Sequence, residues 1–185
     1  TQDDRRMMFL SAEIRFFFEE DPIALREWFA DRSIHGCVPG GGPPGREDLY
    51  LLGVPSRELG IKVRGFKGSK VIPLVDQASL DVEIKGLVSE DPEGIPTGPL
   101  RGPIQIWSKW SYKGMDLGRT MTLVVKKTRW VRKYDLTRDT PGEVPMDPDE
   151  RPLDGIWPSR GCNGEFGAIT LPDGSIHHTF CMEAL

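Results

Sequence analysis

The stretch Leu80-Asp81-Val82-Glu83-Ile84-Lys85-Gly86-Leu87, "LDVEIKGL", decides the fold class. Leu80, Val82 and Ile84 alternate with Asp81, Glu83 and Lys85. That period of two sends successive side chains to opposite faces of a β-strand. One face is apolar and the other is acid, acid, base. The charged face is either solvated strand surface or the lining of a site that handles a charged ligand.

The same alternation recurs on both sides. Upstream, "LGIKVRG" (59–65) sets Leu59, Ile61 and Val63 against Lys62 and Arg64, and "EDLYLLG" (47–53) precedes it. Downstream lie "PIQIWSKWSY" (103–112) and the long "RTMTLVVKKTRWVRKYDL" (119–136). "AEIRFFF" (12–18) is rich in β-formers. The end of the chain, 164–185, reads as a hairpin whose Pro-Asp-Gly-Ser carries a strong turn signal. Asp21-Pro22 predicts a helix start, with Asp21 as N-cap and Pro22 at the first helical position. Ile23, Leu25, Trp28 and Phe29 then fall largely on one side of a short helix ending near Ala30.

Gly/Pro-rich segments at 39–45, 90–103 and 139–155 read as long connections, because no piece between them is large enough to fold alone. The expected fold is mainly β (α+β): a single domain over 1–185, built as an eight-stranded antiparallel sheet with a few peripheral helices. Closing it, or nearly closing it, into a barrel removes the exposed edges.

Composition narrows the function classes. A net charge of −4 argues against a general nucleic-acid binder, and no run approaches the length of a membrane span. Cys37, Cys162 and Cys181 are odd in number and lack CxxC spacing, so neither a disulfide framework nor a zinc site is expected. Reduced thiols and the absence of a visible export signal give the expectation of a cytoplasmic protein.

Arg15, Lys62, Arg64, Lys85, Lys109, Lys127 and Arg129 all occupy alternating strand positions, accompanied by Glu13, Asp81, Glu83, Glu165 and Glu183. Lysines and arginines that converge on one cavity neutralise a polyphosphate, and arginine offers a planar fork to phosphate oxygens. Carboxylates in the same cavity repel that ligand unless they hold a cation, and Mg2+ or Mn2+ commonly bridges carboxylates to substrate phosphates. The same composition also describes a salt-bridged strand face.

The order of the motifs adds to this. "EIR" (13–15), a helix, "DLYL" (48–51), "LGIKVR" (59–64), "LDVEIK" (80–85), "KTRWVRKY" (127–134) and "FCMEAL" (180–185) together resemble the CYTH superfamily of triphosphate tunnel proteins. Lys62 and Arg64 match its basic pair, Glu83 and Lys85 its acid–base strand, Lys127 and Arg129 its K-x-R strand, and Glu183 its terminal acid. The resemblance implies an eight-stranded tunnel with a charged lumen that binds triphosphate compounds, often hydrolysing them with Mg2+ or Mn2+. Under it, Arg15, Lys62, Arg64, Lys85, Lys109, Lys127 and Arg129 bind phosphate, and Glu13, Glu83 and Glu183, with Asp81 and Glu165 as further candidates, hold the metal. One departure stands out. The family's opening ExExK is Glu13-Ile14-Arg15-Phe16-Phe17 here, exchanging the second acid for a base and the lysine for phenylalanine.

Three readings follow: a metal-dependent phosphohydrolase, a phospholigand-binding module without turnover, and a structural barrel whose charges face water. The partner expected for the first two is a phosphorylated small molecule or polyphosphate. Of the remaining features, His177-His178 reads as a surface pair near a turn, and Trp107, Trp110 and Trp130 as core or rim packing. Cys162 and Cys181 read as small buried apolar groups. "PGGGPPG" lacks the Lys-Ser/Thr ending of a phosphate-binding loop.

Overall fold

The computed structural model describes residues 7–31, 46–51, 56–64, 81–94, 102–113, 122–147 and 150–184. Strands β1 (Met7–Phe18), β2 (Arg46–Leu51), β3 (Leu59–Arg64), β4 (Asp81–Asp91), β5 (Ile104–Lys113), β6 (Thr122–Asp135), β8 (Gly161–Thr170) and β9 (Ile176–Ala184) form one antiparallel sheet. Its order is β2-β3-β4-β5-β1-β9-β8-β6, and β6 pairs back onto β2 through Asp48↔Val125 and Tyr50↔Leu123. That last pairing closes an eight-stranded barrel. A two-residue strand, β7 (Gly142–Glu143), extends it beside the end of β6. Among the described residues there is one helix, α1 (Ile23–Ala30). His35, Cys37 and the "PGGGPPG" segment lie outside the described residues.

Closure gives every strand an inside and an outside, and residues paired across the register share a face. The chain of partners Lys62↔Glu83, Lys85↔Lys109, Glu13↔Glu183, Glu183↔Asn163 and Asn163↔Lys133 therefore lies on one side. The apolar partners lie on the other. Leu49, Val63 and Val82 are buried there, with Ile61, Ile84 and Val124 packed beside them. The barrel is thus inverted relative to an ordinary small one, with charge inside and apolar surface outside.

Helix α1 uses that outer face. Phe29 packs against Phe166 and Phe180, with ring centroids 6.0 Å away in each case, and Phe166 is fully buried. Arg132 of β6 fastens the helix. Its guanidinium donates to the backbone carbonyls of Trp28 and Asp31, stacks 4.1 Å from the Trp28 ring and pairs with Glu143.

Two local expectations change. Asp21 does not cap α1: the N-cap is Pro22, with no side-chain capping bond, and the Asp21 carboxylate accepts from Arg26 instead. Arg26 lies one turn into the helix and offers a charged donor that competes with the backbone amides. Strand β1 also starts earlier than its composition implied, because Met7–Leu10 pair with Ser108–Ser111 of β5. The expected hairpin turn is present. Gly174 takes φ +86°, and Asp173 accepts from the Ser175 amide and hydroxyl.

Candidate anion site in the barrel lumen

Seven cationic side chains of the described lumen come from five strands: Arg15 (β1), Lys62 (β3), Lys85 (β4), Lys109 (β5), and Lys127, Arg129 and Lys133 (β6). Each arrives there by period-two alternation; Lys127, Arg129, Val131 and Lys133 are successive inward positions of one strand. Six acids face them: Glu13, Asp48, Glu83, Glu150, Glu165 and Glu183. The side chains of Arg64 and Asp81 lie outside the described atoms, although Arg64↔Asp81 continues the Lys62↔Glu83 register.

The charges meet in three groups. Glu13 lies beneath two ammonium groups, Lys85 Nζ at 2.5 Å and Lys109 Nζ at 2.7 Å, and Ser11 Oγ approaches it at 3.5 Å. Lys109 also donates to Glu183, and the Arg15 guanidinium stands 3.9 Å from Glu13. Glu165 accepts from Lys127 at 2.5 Å and from Arg129 at 3.0 Å. Lys62 and Glu83 pair at 2.8 Å. Trp107 forms part of the wall, buried under Lys85, whose ammonium lies 4.2 Å from its ring.

Burial and pairing pull the titrations in opposite directions. Burial alone raises Glu165, but Lys127, Arg129 and Arg15 outweigh it and hold its carboxyl down at about 2. Glu13 is likewise raised by burial and brought below its usual value by Lys109 and Lys85. Burial lowers Lys85, with Lys109 and Arg15 adding to the effect and Glu13 opposing it. Lys109 goes up, because Glu13 and Glu183 overcome its desolvation. Glu13, Glu165 and Lys109 are thus each held in the charged form by their neighbours. Cys181, beside Arg15 in the register, is pushed up to about 11 by burial, so its thiol stays protonated near neutral pH.

A cavity of about 70 Å3 opens within this network. Arg15, Arg129, Lys133, Glu150 and Glu165 line it, with Asn163, Val131, Cys181 and Glu183. Glu150 enters from the connection between β7 and β8 and places both carboxylate oxygens on Arg129 Nη2, at 2.7 and 2.8 Å. Its φ of +62° is in the left-handed region, which costs a non-glycine residue on the order of 1 kcal/mol.

The expected metal ligands do not form one donor set. Glu13 and Glu183 are cross-strand partners, but Glu83 pairs with Lys62 on the β3–β4 side. Among the described residues no three acid, His or Cys side chains stand close enough to share an ion. A hard divalent cation wants six or more oxygens, whereas here ammonium groups take the carboxylate oxygens. The described donors do not fit a resident Mg2+ or Mn2+.

Of the phosphate-binding candidates, the barrel brings Arg15, Lys62, Lys85, Lys109, Lys127 and Arg129 to one lumen. Sequence reasoning missed Asp48, Lys133, Asn163 and Glu150. Lys133 was legible as the next alternating position after Arg129 and Val131. Glu150, in a loop, carried no such signal. The histidines separate as adjacent strand residues must: His178 stacks on Phe166 outside, and His177 is exposed near the turn. No protein-family model, curated protein or solved structure matches this chain significantly.

Proposed function

We propose that the chain is a divergent triphosphate tunnel protein that binds a tri- or polyphosphate compound in its lumen without a resident metal. The observation that supports this is the convergence of seven cations from five strands on one closed interior. Stability gives a barrel little reason to bury ionised pairs, since well-packed apolar residues do as well or better. A lumen kept ionised is suited to exchanging its carboxylates for a ligand's anionic oxygens. The ammonium and guanidinium groups grip phosphates, and the acids are the internal counter-ions that phosphates displace.

Binding without turnover is favoured over hydrolysis by the occupation of Glu13, Glu165 and Glu183 with Lys and Arg partners, and by Arg15 at a position where the family motif has an acid. Calorimetric titration with inorganic tripolyphosphate, with and without Mg2+ or Mn2+, tests the reading. Binding without added metal, weakening as salt rises, is the expected result. No binding at low salt rejects it. Phosphate release from tripolyphosphate only when metal is present moves the assignment to a phosphohydrolase.

A further inference from the structure

We infer that the Glu150 carboxylate occupies the position of a ligand's terminal phosphoryl group, and that Arg129, Arg15 and Lys133 form the subsite it guards. This rests on the proposed phosphate binding and adds where one end of the ligand sits and what it must displace. Of the six acids of the described lumen, Glu150 alone comes from a connection; the others belong to the barrel wall. It can leave without breaking a strand ladder. With both its oxygens on Arg129 Nη2, the Glu150 carboxylate sets an anionic group of the same charge sign as a phosphoryl group against this guanidinium, a charge-assisted contact of the kind arginine also makes with phosphate.

The backbone around Glu150 is built to hold it there. Its φ is +62°, an unusual conformation for a side chain with a Cβ. The Glu150 amide donates to the Asp147 carbonyl at 3.0 Å, the Asp147 amide to the Arg151 carbonyl at 2.8 Å, and the Leu153 amide to the Pro145 carbonyl at 3.0 Å. Farther along the same segment Trp157 lies over Lys133, 3.9 Å from ammonium to ring. One connection thus covers two cations at this end of the lumen. The cavity beneath is about 70 Å3, and Glu150 lines it together with Arg129, Arg15 and Lys133. A phosphoryl group gains its place when the carboxylate swings out.

Glu150→Gln keeps the side-chain volume and removes the charge, and Glu150→Ala removes both. With inorganic tripolyphosphate as the probe, both variants are expected to bind about tenfold tighter than wild type by calorimetry. Saturating the wild type is expected to speed hydrogen exchange at the Glu150, Leu153 and Gly155 amides, a change that altered net charge alone does not produce. Wild-type binding with no gain in Glu150→Gln, or with loop amides unchanged at saturation, overturns the assignment of Glu150 and leaves lumen binding standing. Absence of binding by wild type and both variants overturns the phosphate-binding reading, and this inference with it.

Discussion

Lys109 of β5 bridges Glu13 of β1 and Glu183 of β9, two carboxylates that face each other across neighbouring strands. Its ammonium lies between the paired acids and supplies the positive charge that two facing carboxylates need. It does so as part of the chain, so the charge is present at every metal concentration.

Replacing Lys109 by Met leaves Glu13 with Lys85, Ser11 and the more distant Arg15, and Glu183 without this partner. Removing one member of a buried ion pair costs about 3–5 kcal/mol, and denaturant unfolding should show a loss in that range. Adding Glu13→Gln should restore part of it, because the orphaned charge goes too. Mg2+ should raise the melting temperature of Lys109→Met more than that of the wild type, since two facing carboxylates then lack their ammonium bridge. Equal shifts in both proteins would show that Lys109 does not stand in for a cation.

Acid should dissolve the network in a defined window. The Glu165 carboxyl sits at about 2 in the folded chain against an ordinary value of 4.5. A depressed carboxyl contributes its full stability above the unfolded value and loses it as pH falls through the folded one. The loss therefore runs from about pH 4.5 to about pH 2 and amounts to on the order of 3 kcal/mol at most, given the strong coupling to Lys127 and Arg129. Urea midpoints across that range should fall for the wild type and fall less steeply for Glu165→Gln.

Phosphate binding should displace lumen carboxylates without protonating them near neutral pH. Seven cations and six acids nearly cancel in the described lumen, and Glu165 and Glu13 are held below the usual carboxylate range, so an arriving polyphosphate gains its partners as acids swing away. Affinity for tripolyphosphate should fall as salt rises, and calorimetry at one neutral pH in buffers of different ionisation enthalpy should report no proton exchange beyond that of the tripolyphosphate itself. Lys127→Met should weaken binding by about tenfold or more. Net proton uptake by the protein would show that lumen carboxylates protonate instead of moving aside.

The outer clamp is separable from the site. Arg132 is 3% exposed and joins α1 to the barrel through Trp28, Asp31 and Glu143. Arg132→Ala should cost about 2–4 kcal/mol and speed amide exchange in 23–30, while tripolyphosphate affinity stays near wild type. A large fall in affinity would mean that α1 shapes the lumen.

Much of this was legible in one dimension. Alternation in "LGIKVR", "LDVEIK" and "KTRWVRKY" is strong because a strand has only two faces, and the inward cations Lys62, Lys85, Lys127 and Arg129 followed from it, although Lys133 was passed over. The cap of α1 was misread because Asp21 had a nearer charged partner in Arg26, a competition that residue preferences alone do not resolve.

The sequence by itself determined the strands, their two-faced character and which residues share a face, since these depend on neighbours two positions away. The tertiary structure decided which face became the interior. The β2–β6 pairing closes the sheet and turns the apolar faces outward, where α1 packs on Phe166 and Phe180 and Leu49, Val63 and Val82 form a separate buried cluster. It also decided partners: Lys85 meets Glu13 across 72 residues and Arg129 meets Glu150 from a loop, contacts set by closure and strand order. Periodicity carries no information about distances across a lumen.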